Sequence, residues 1–209
     1  MKLQLALDLI DIPSAKRLLE KIIDLIDIVE IGTPFILKEG IGAVTEIKTV
    51  WPEKEVIADL KIMDAGDHEA RIGFNAGADI ITVLGVSHDS TIHRALDVAR
   101  AIGKKVLIDL IAVKEVKKRT QKLDQVGAHF ICIHTATDIQ DQDLETFHDI
   151  QQAHAVLKKT KLAVAGGITP ENLPLISVYH PEIVVVGGYI TSHPDPRKAV
   201  LAIRKELDN

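Results

Sequence analysis

One rhythm runs the length of the chain: short aliphatic, β-branched runs alternate with longer amphipathic segments. Eight runs read as strands, at 3–9, 27–31, 55–61, 79–84, 105–111, 129–134, 161–165 and 183–187. They recur about every 25 residues, the length of one strand–helix step. Between them lie helical signals. Pro13 opens a segment in which Leu18, Leu19, Ile22, Ile23 and Ile26 share one face. Runs from Glu69 to Ala76, Ala95 to Ile102 and Val116 to Val126 stop at Gly77, Gly103 and Gly127. Pro170 is placed at the start of the seventh helix, and the eighth spans about Pro196 to Leu207.

Near-continuous apolar strands joined by helices imply a parallel sheet covered on its outer face. Eight such units close into a single-domain (β/α)8 TIM barrel over residues 1–209, with a doubly wound open sheet as the alternative. Aromatics make up only 3% of the chain, so Ile, Leu, Val and Ala must fill the core, as they do inside closed parallel barrels.

Charge narrows the partners. The net charge is -5 with no basic tract, which argues against nucleic acid. An anionic substrate stays open, because backbone N–H groups can hold a phosphate without Lys or Arg. Cys132 is the sole cysteine, so it reads as an inert core thiol in a reduced compartment. The N-terminus resembles neither a signal peptide nor a membrane span, and the expected location is cytoplasmic, with no membrane partner.

In such a barrel the chemistry sits at the C-terminal strand ends. There the charged residues fall: Asp8, Glu30, Asp59 with Lys61, Asp109, and His134. Each interrupts an aliphatic run, where an unpaired charge would be costly. Asp59 and Lys61, two apart in a strand, are expected to point the same way, with Asp64 just beyond as a second carboxylate flanking the ammonium. A lysine so held can stabilise carbanionic character beside it. Glu30 and Asp59 end adjacent strands and suit a hard divalent ion, Mg²⁺ over zinc, because no imidazole or thiolate cluster accompanies them. The other eight histidines fall on helices, on loops or at the start of a strand and read as solvated or packing residues. Two glycine pairs, Gly166-Gly167 after the seventh strand and Gly187-Gly188 after the eighth, occupy the positions where barrels commonly cradle phosphate.

These motifs resemble a known family. Asp59-Leu60-Lys61-Ile62-Met63-Asp64-Ala65-Gly66, preceded by Val29-Glu30-Ile31-Gly32-Thr33-Pro34, is similar to the orotidine 5′-phosphate decarboxylase suprafamily, and within it to the 3-hexulose-6-phosphate synthase branch. The likeness runs from Leu5-Ala6-Leu7-Asp8 to Val185-Val186-Gly187-Gly188. It implies Mg²⁺-dependent, reversible aldol condensation of D-ribulose 5-phosphate with formaldehyde to D-arabino-hex-3-ulose 6-phosphate through a 1,2-enediolate. Glu30 and Asp59 would hold the metal, Lys61 would stabilise the enediolate and His134 would carry the proton. A homodimer is implied, with Asp64 reaching into the partner's site. The alternatives are a 3-keto-L-gulonate-6-phosphate decarboxylase and a non-catalytic sugar-phosphate-binding barrel. The decarboxylases carry arginines where this chain has Thr137 and Gly188, neither of which replaces a bidentate cation.

Overall fold

In a computed structural model, which describes residues 1–139 and 143–208, the eight strands form a closed parallel barrel. They are β1 (Lys2–Leu7), β2 (Ile28–Ile31), β3 (Glu55–Ile62), β4 (Ile80–Leu84), β5 (Lys105–Asp109), β6 (Phe130–His134), β7 (Lys161–Ala165) and β8 (Ile183–Val186). Each pairs with its neighbours in chain order, and β8 returns to β1 with Leu3 opposite Val184. The barrel expectation holds and the open sheet falls, because closure leaves no edge.

Alternation along the strands sorts the apolar residues into two populations. Ile28, Ile57, Ile80, Leu107, Phe130 and Ile183 belong to a cluster drawn from all eight strands, which fills the lumen. Their sequence neighbours Val29, Val56, Ile81, Val106, Ile131 and Val184 join the larger cluster under the helices. Cys132 is a lumen residue, and burial, then the charges of Asp109 and Glu30, hold its thiol well above the usual range. The first residues of β1, β3 and β5 close the floor: Glu55 takes Lys2 at 2.9 Å and Lys105 at 2.5 Å.

The outer layer comprises α1 (Ile12–Ile22), α2 (Thr33–Glu39), α3 (Gly42–Val50), α4 (Gly66–Asn75), α5 (Asp89–Ala101), α6 (Val116–Val126), α7 (Asp143–His154), α8 (Leu173–Ser177), α9 (Gly188–Thr191) and α10 (Pro196–Leu207). Local chemistry sets several boundaries. Asp11 caps α1 by accepting from the Ser14 N–H at 2.8 Å, Asp195 caps α10 through Lys198, and α6 stops at Gly127 with φ 78°.

Other boundaries differ from expectation. α4 and α5 start earlier, at Gly66 and Asp89, because no side-chain cap marks their true first turns. α8 starts at Leu173 and not at Pro170. Asn172 ties the intervening loop down, accepting from the Thr169 N–H and donating to the Gly167 carbonyl. The connection from β2 to β3 holds two helices, α2 and α3, parted at Gly40 with φ 76°. Among the described residues no helix is long and apolar enough to cross a membrane.

Candidate active site

The strand ends bring Asp59, Lys61, Asp109 and His134 into one connected chain. Lys61 Nζ lies 2.5 Å from Asp59 Oδ2 and 3.5 Å from Asp109 Oδ2, and Asp109 Oδ2 lies 2.8 Å from His134 Nδ1. Simple alternation is not what joins the first two. The β3–β4 register shifts between Ala58 and Ile62, and Lys61 takes a left-handed φ of 47°. The second carboxylate on Lys61 is also not the expected one. Within this chain Asp64 is exposed on the loop before α4, and Asp109 takes that place because β5 ends beside the ammonium.

These contacts set protonation states. Burial works against a charged Lys61, but Asp59, Asp109 and Glu30 outweigh it and hold the ammonium above its ordinary range. Burial likewise pushes the Asp109 carboxyl up. The His134 contact and the Lys61 charge pull it down further, leaving Asp109 below its usual value and ionised. An ionised carboxylate only accepts hydrogen bonds, so His134 Nδ1 must donate to it, leaving Nε2 for substrate.

Glu30 and Asp8 complete a cluster rich in carboxyl groups. Glu30 is buried, and burial followed by the charge of Asp59 raises its carboxyl to about 8. Its Oε2 accepts from Gln4 Nε2 at 2.6 Å, while Gln4 Oε1 is buried without a partner among the described residues. Asp8 is raised too, by burial and then by Asp59. A Cβ on Gly32 would lie 2.0 Å from Asp8 Oδ1, so only glycine lets the loop after β2 close on this carboxylate.

Glu30 and Asp8 are thus both disfavoured as anions beside Asp59, a cost that a hard dication would relieve. Among the described residues no three His, Cys, Asp or Glu side chains form a ready-made metal cage. Glu30 and Asp59 offer two carboxyl groups on adjacent strands, so a hard ion there would need water or substrate oxygens for the rest of its shell. Hydroxyls on two neighbouring elements anchor Asp59 in that position. Thr82 donates to Oδ1 at 2.7 Å, and the Thr33 hydroxyl lies 2.8 Å from Oδ2.

The glycine pairs differ in what requires them. Gly166 has φ 95°, and a Cβ there would sit 2.2 Å from the Thr135 carbonyl, so a tight turn alone demands it. Gly167 is left-handed as well, with φ 64°. Gly187 precedes α9 and lies near Asp8, with a built Cβ 3.6 Å from Oδ2. Gly188 opens α9 with nothing within 4 Å of a built Cβ. No packing neighbour forces glycine at Gly188.

The profile of the orotidine 5′-phosphate decarboxylase / HUMPS family matches residues 1–203. The chain belongs to this family. Among curated orotidine 5′-phosphate decarboxylase / HUMPS relatives, the 3-hexulose-6-phosphate synthase of Bacillus subtilis is 46% identical over 195 residues, covering 93% of each chain. A Staphylococcus saprophyticus protein, 3-hexulose-6-phosphate synthase 2, is 41% identical over 208 residues, covering 100% of this chain and 98% of its own. The crystal structure of the Salmonella typhimurium 3-hexulose-6-phosphate synthase superposes with a TM-score of 0.96 at 40% identity, covering 99% of this chain and 98% of that one.

In this member of the orotidine 5′-phosphate decarboxylase / HUMPS family, several neutral residues support the charged ones. Gln4, Thr33, Thr82 and Gly32 escape a reading that weighs charges alone. Gln4 and Thr82 nevertheless leave a signal, since each is one polar residue inside an aliphatic strand, Leu3-Gln4-Leu5 and Ile81-Thr82-Val83. Gly32 stands within the Val29–Pro34 motif, but its close approach to Asp8 exists only after folding.

Proposed function

We propose that this chain catalyses the reversible, Mg²⁺-dependent aldol condensation of D-ribulose 5-phosphate with formaldehyde, giving D-arabino-hex-3-ulose 6-phosphate. The observation that carries this reading is the Lys61 ammonium held between Asp59 and Asp109, with Asp109 also orienting His134. A bound Mg²⁺, held by Glu30 and Asp59, would supply Lewis-acid charge beside the substrate oxygens.

The residues divide the work among them. The backbone N–H groups at Gly166, Gly167, Gly187 and Gly188 receive the phosphate. His134 Nε2 takes the C1 proton of the ketose, and Asp109 stabilises the imidazolium that forms. The resulting 1,2-enediolate carries its charge beside Lys61, which needs no reorganisation to stabilise it. The enediolate carbon attacks formaldehyde, a carbon–carbon bond forms, and the new alkoxide takes the proton back from His134. Asp8 lies beside this cluster as a further carboxylate for ordering substrate hydroxyls.

The active unit in this reading is a homodimer, with Asp64 contributed to the partner's site. Asp64 is exposed in the single chain, and Leu9, Met63 and Val86, on loops after β1, β3 and β4, are exposed apolar residues near the same rim.

The test is to mix the protein with ribulose 5-phosphate and formaldehyde and follow formaldehyde loss. Consumption should require both the sugar phosphate and a divalent ion, stop in excess chelator and return with Mg²⁺. Decarboxylation of 3-keto-L-gulonate 6-phosphate without formaldehyde consumption would replace this reading with the decarboxylase. Binding of ribulose 5-phosphate with neither reaction would leave a sugar-phosphate-binding barrel.

A further inference from the structure

The ladder between β3 and β4 is broken at one place. Ala58 stands opposite Ile81 and Ile62 opposite Val83, so Asp59, Leu60 and Lys61 share a single facing residue, Thr82. Such a bulge leaves backbone groups unpaired and re-aims the side chains it carries. Here it places Lys61 at φ 47°, a conformation that residues with a Cβ rarely adopt and that surrounding contacts must hold.

Thr82 supplies those contacts. Its side chain is buried, its Oγ1 accepts the Lys61 backbone N–H at 2.9 Å, and it donates its one proton to Asp59 Oδ1 at 2.7 Å. Asp59 in turn takes the Lys61 ammonium on Oδ2 at 2.5 Å. Lys61 is therefore gripped at both ends, at its backbone by Thr82 and at its ammonium by Asp59. One hydroxyl fixes both grips. We propose that Thr82 is a positioning residue, whose hydroxyl pegs the β3 bulge so that the Lys61 ammonium and the Asp59 carboxylate meet in the reactive geometry. The kinetic part of this inference rests on the aldol reading above; the structural part does not.

Valine matches threonine in shape and lacks the hydroxyl, whereas serine keeps the hydroxyl and loses only a methyl. Thr82→Val is expected to lower kcat by about ten- to hundred-fold, as when a group that orients a reacting residue is lost. KM for ribulose 5-phosphate should stay within about two-fold. Exchange of the C1 proton without formaldehyde should fall in parallel. Thr82→Ser should restore most of kcat. Amide hydrogen exchange supplies a reading independent of turnover: the Lys61 N–H should lose protection in Thr82→Val and keep it in Thr82→Ser.

A Thr82→Val protein with wild-type kcat and a protected Lys61 amide would overturn the proposal. So would equal losses in the valine and serine variants, or a change confined to KM. If Thr82→Val fails to fold, Thr82→Ala set against Thr82→Ser decides in the same way. If the wild-type protein consumes no formaldehyde, the aldol reading fails, and the exchange measurement alone decides whether Thr82 pegs the bulge.

Discussion

Lys61 is the residue on which the proposed chemistry most depends. Lys61→Ala should reduce turnover by about a hundred-fold or more, the scale on which loss of a transition-state charge donor is felt. It should also abolish C1 proton exchange of ribulose 5-phosphate. Removing the ammonium leaves Asp59 and Asp109 facing one another, so thermal unfolding has to be followed beside the kinetics. A folded Lys61→Ala that still exchanges the C1 proton at the wild-type rate would remove Lys61 from that step. Glu30 makes a separate prediction about pH. An unfolded glutamate ionises near 4.5, whereas the folded one holds its proton up to about 8. Between those values the folded state binds the extra proton, so this group's contribution to stability declines as pH rises. Mg²⁺ should therefore raise the melting temperature more at pH 8.5 than at pH 6, and Glu30→Gln should flatten that difference. An equal Mg²⁺ shift at both pH values would count against Glu30 as a ligand. The charged residues of the site were legible because each breaks an aliphatic run. Their connections were not. That Asp109, and not Asp64, flanks Lys61 depends on strand register and a bulge, which are properties of the folded ladder.

At the scale of elements, the strands could be read to within a residue or two because β-branched runs have few other uses. Helix starts were harder wherever the cap is backbone geometry and not a side chain, as at Ala65 with φ 47° before α4. The two loops assigned to phosphate should respond differently to the same change. Gly166→Ala forces a Cβ against the Thr135 carbonyl and an L residue into a positive φ, so it should destabilise the fold by about 1–3 kcal/mol. Gly188→Ala meets open space and should leave the melting temperature unchanged. If phosphate approaches there, KM for ribulose 5-phosphate should rise while unphosphorylated ribulose remains a poor substrate for both proteins. An unchanged KM in Gly188→Ala would place the phosphate elsewhere.

At the scale of the whole molecule, the dimer reading can be tested by mixing two inactive proteins. Asp64→Asn and Lys61→Ala subunits should each be nearly inactive alone. After subunit exchange, a hybrid dimer should regain activity, because one of its sites receives a wild-type Lys61 from one chain and a wild-type Asp64 from the other. No recovery, with hybrids demonstrated by mass, would confine Asp64 to its own chain or remove it from the reaction. Sequence periodicity foretold the closed barrel; it carries no information about assembly, because exposed Leu9 and Met63 look like any surface apolar residues in a single chain. The ion-paired floor carries a consequence of another kind. Glu55, Lys2 and Lys105 bind three strands together at the end opposite the reactive groups. The two ends of the barrel carry separate sets of ion pairs, so a lineage, or an engineer, can rework the reactive end for a new substrate without breaking the pairs at the other.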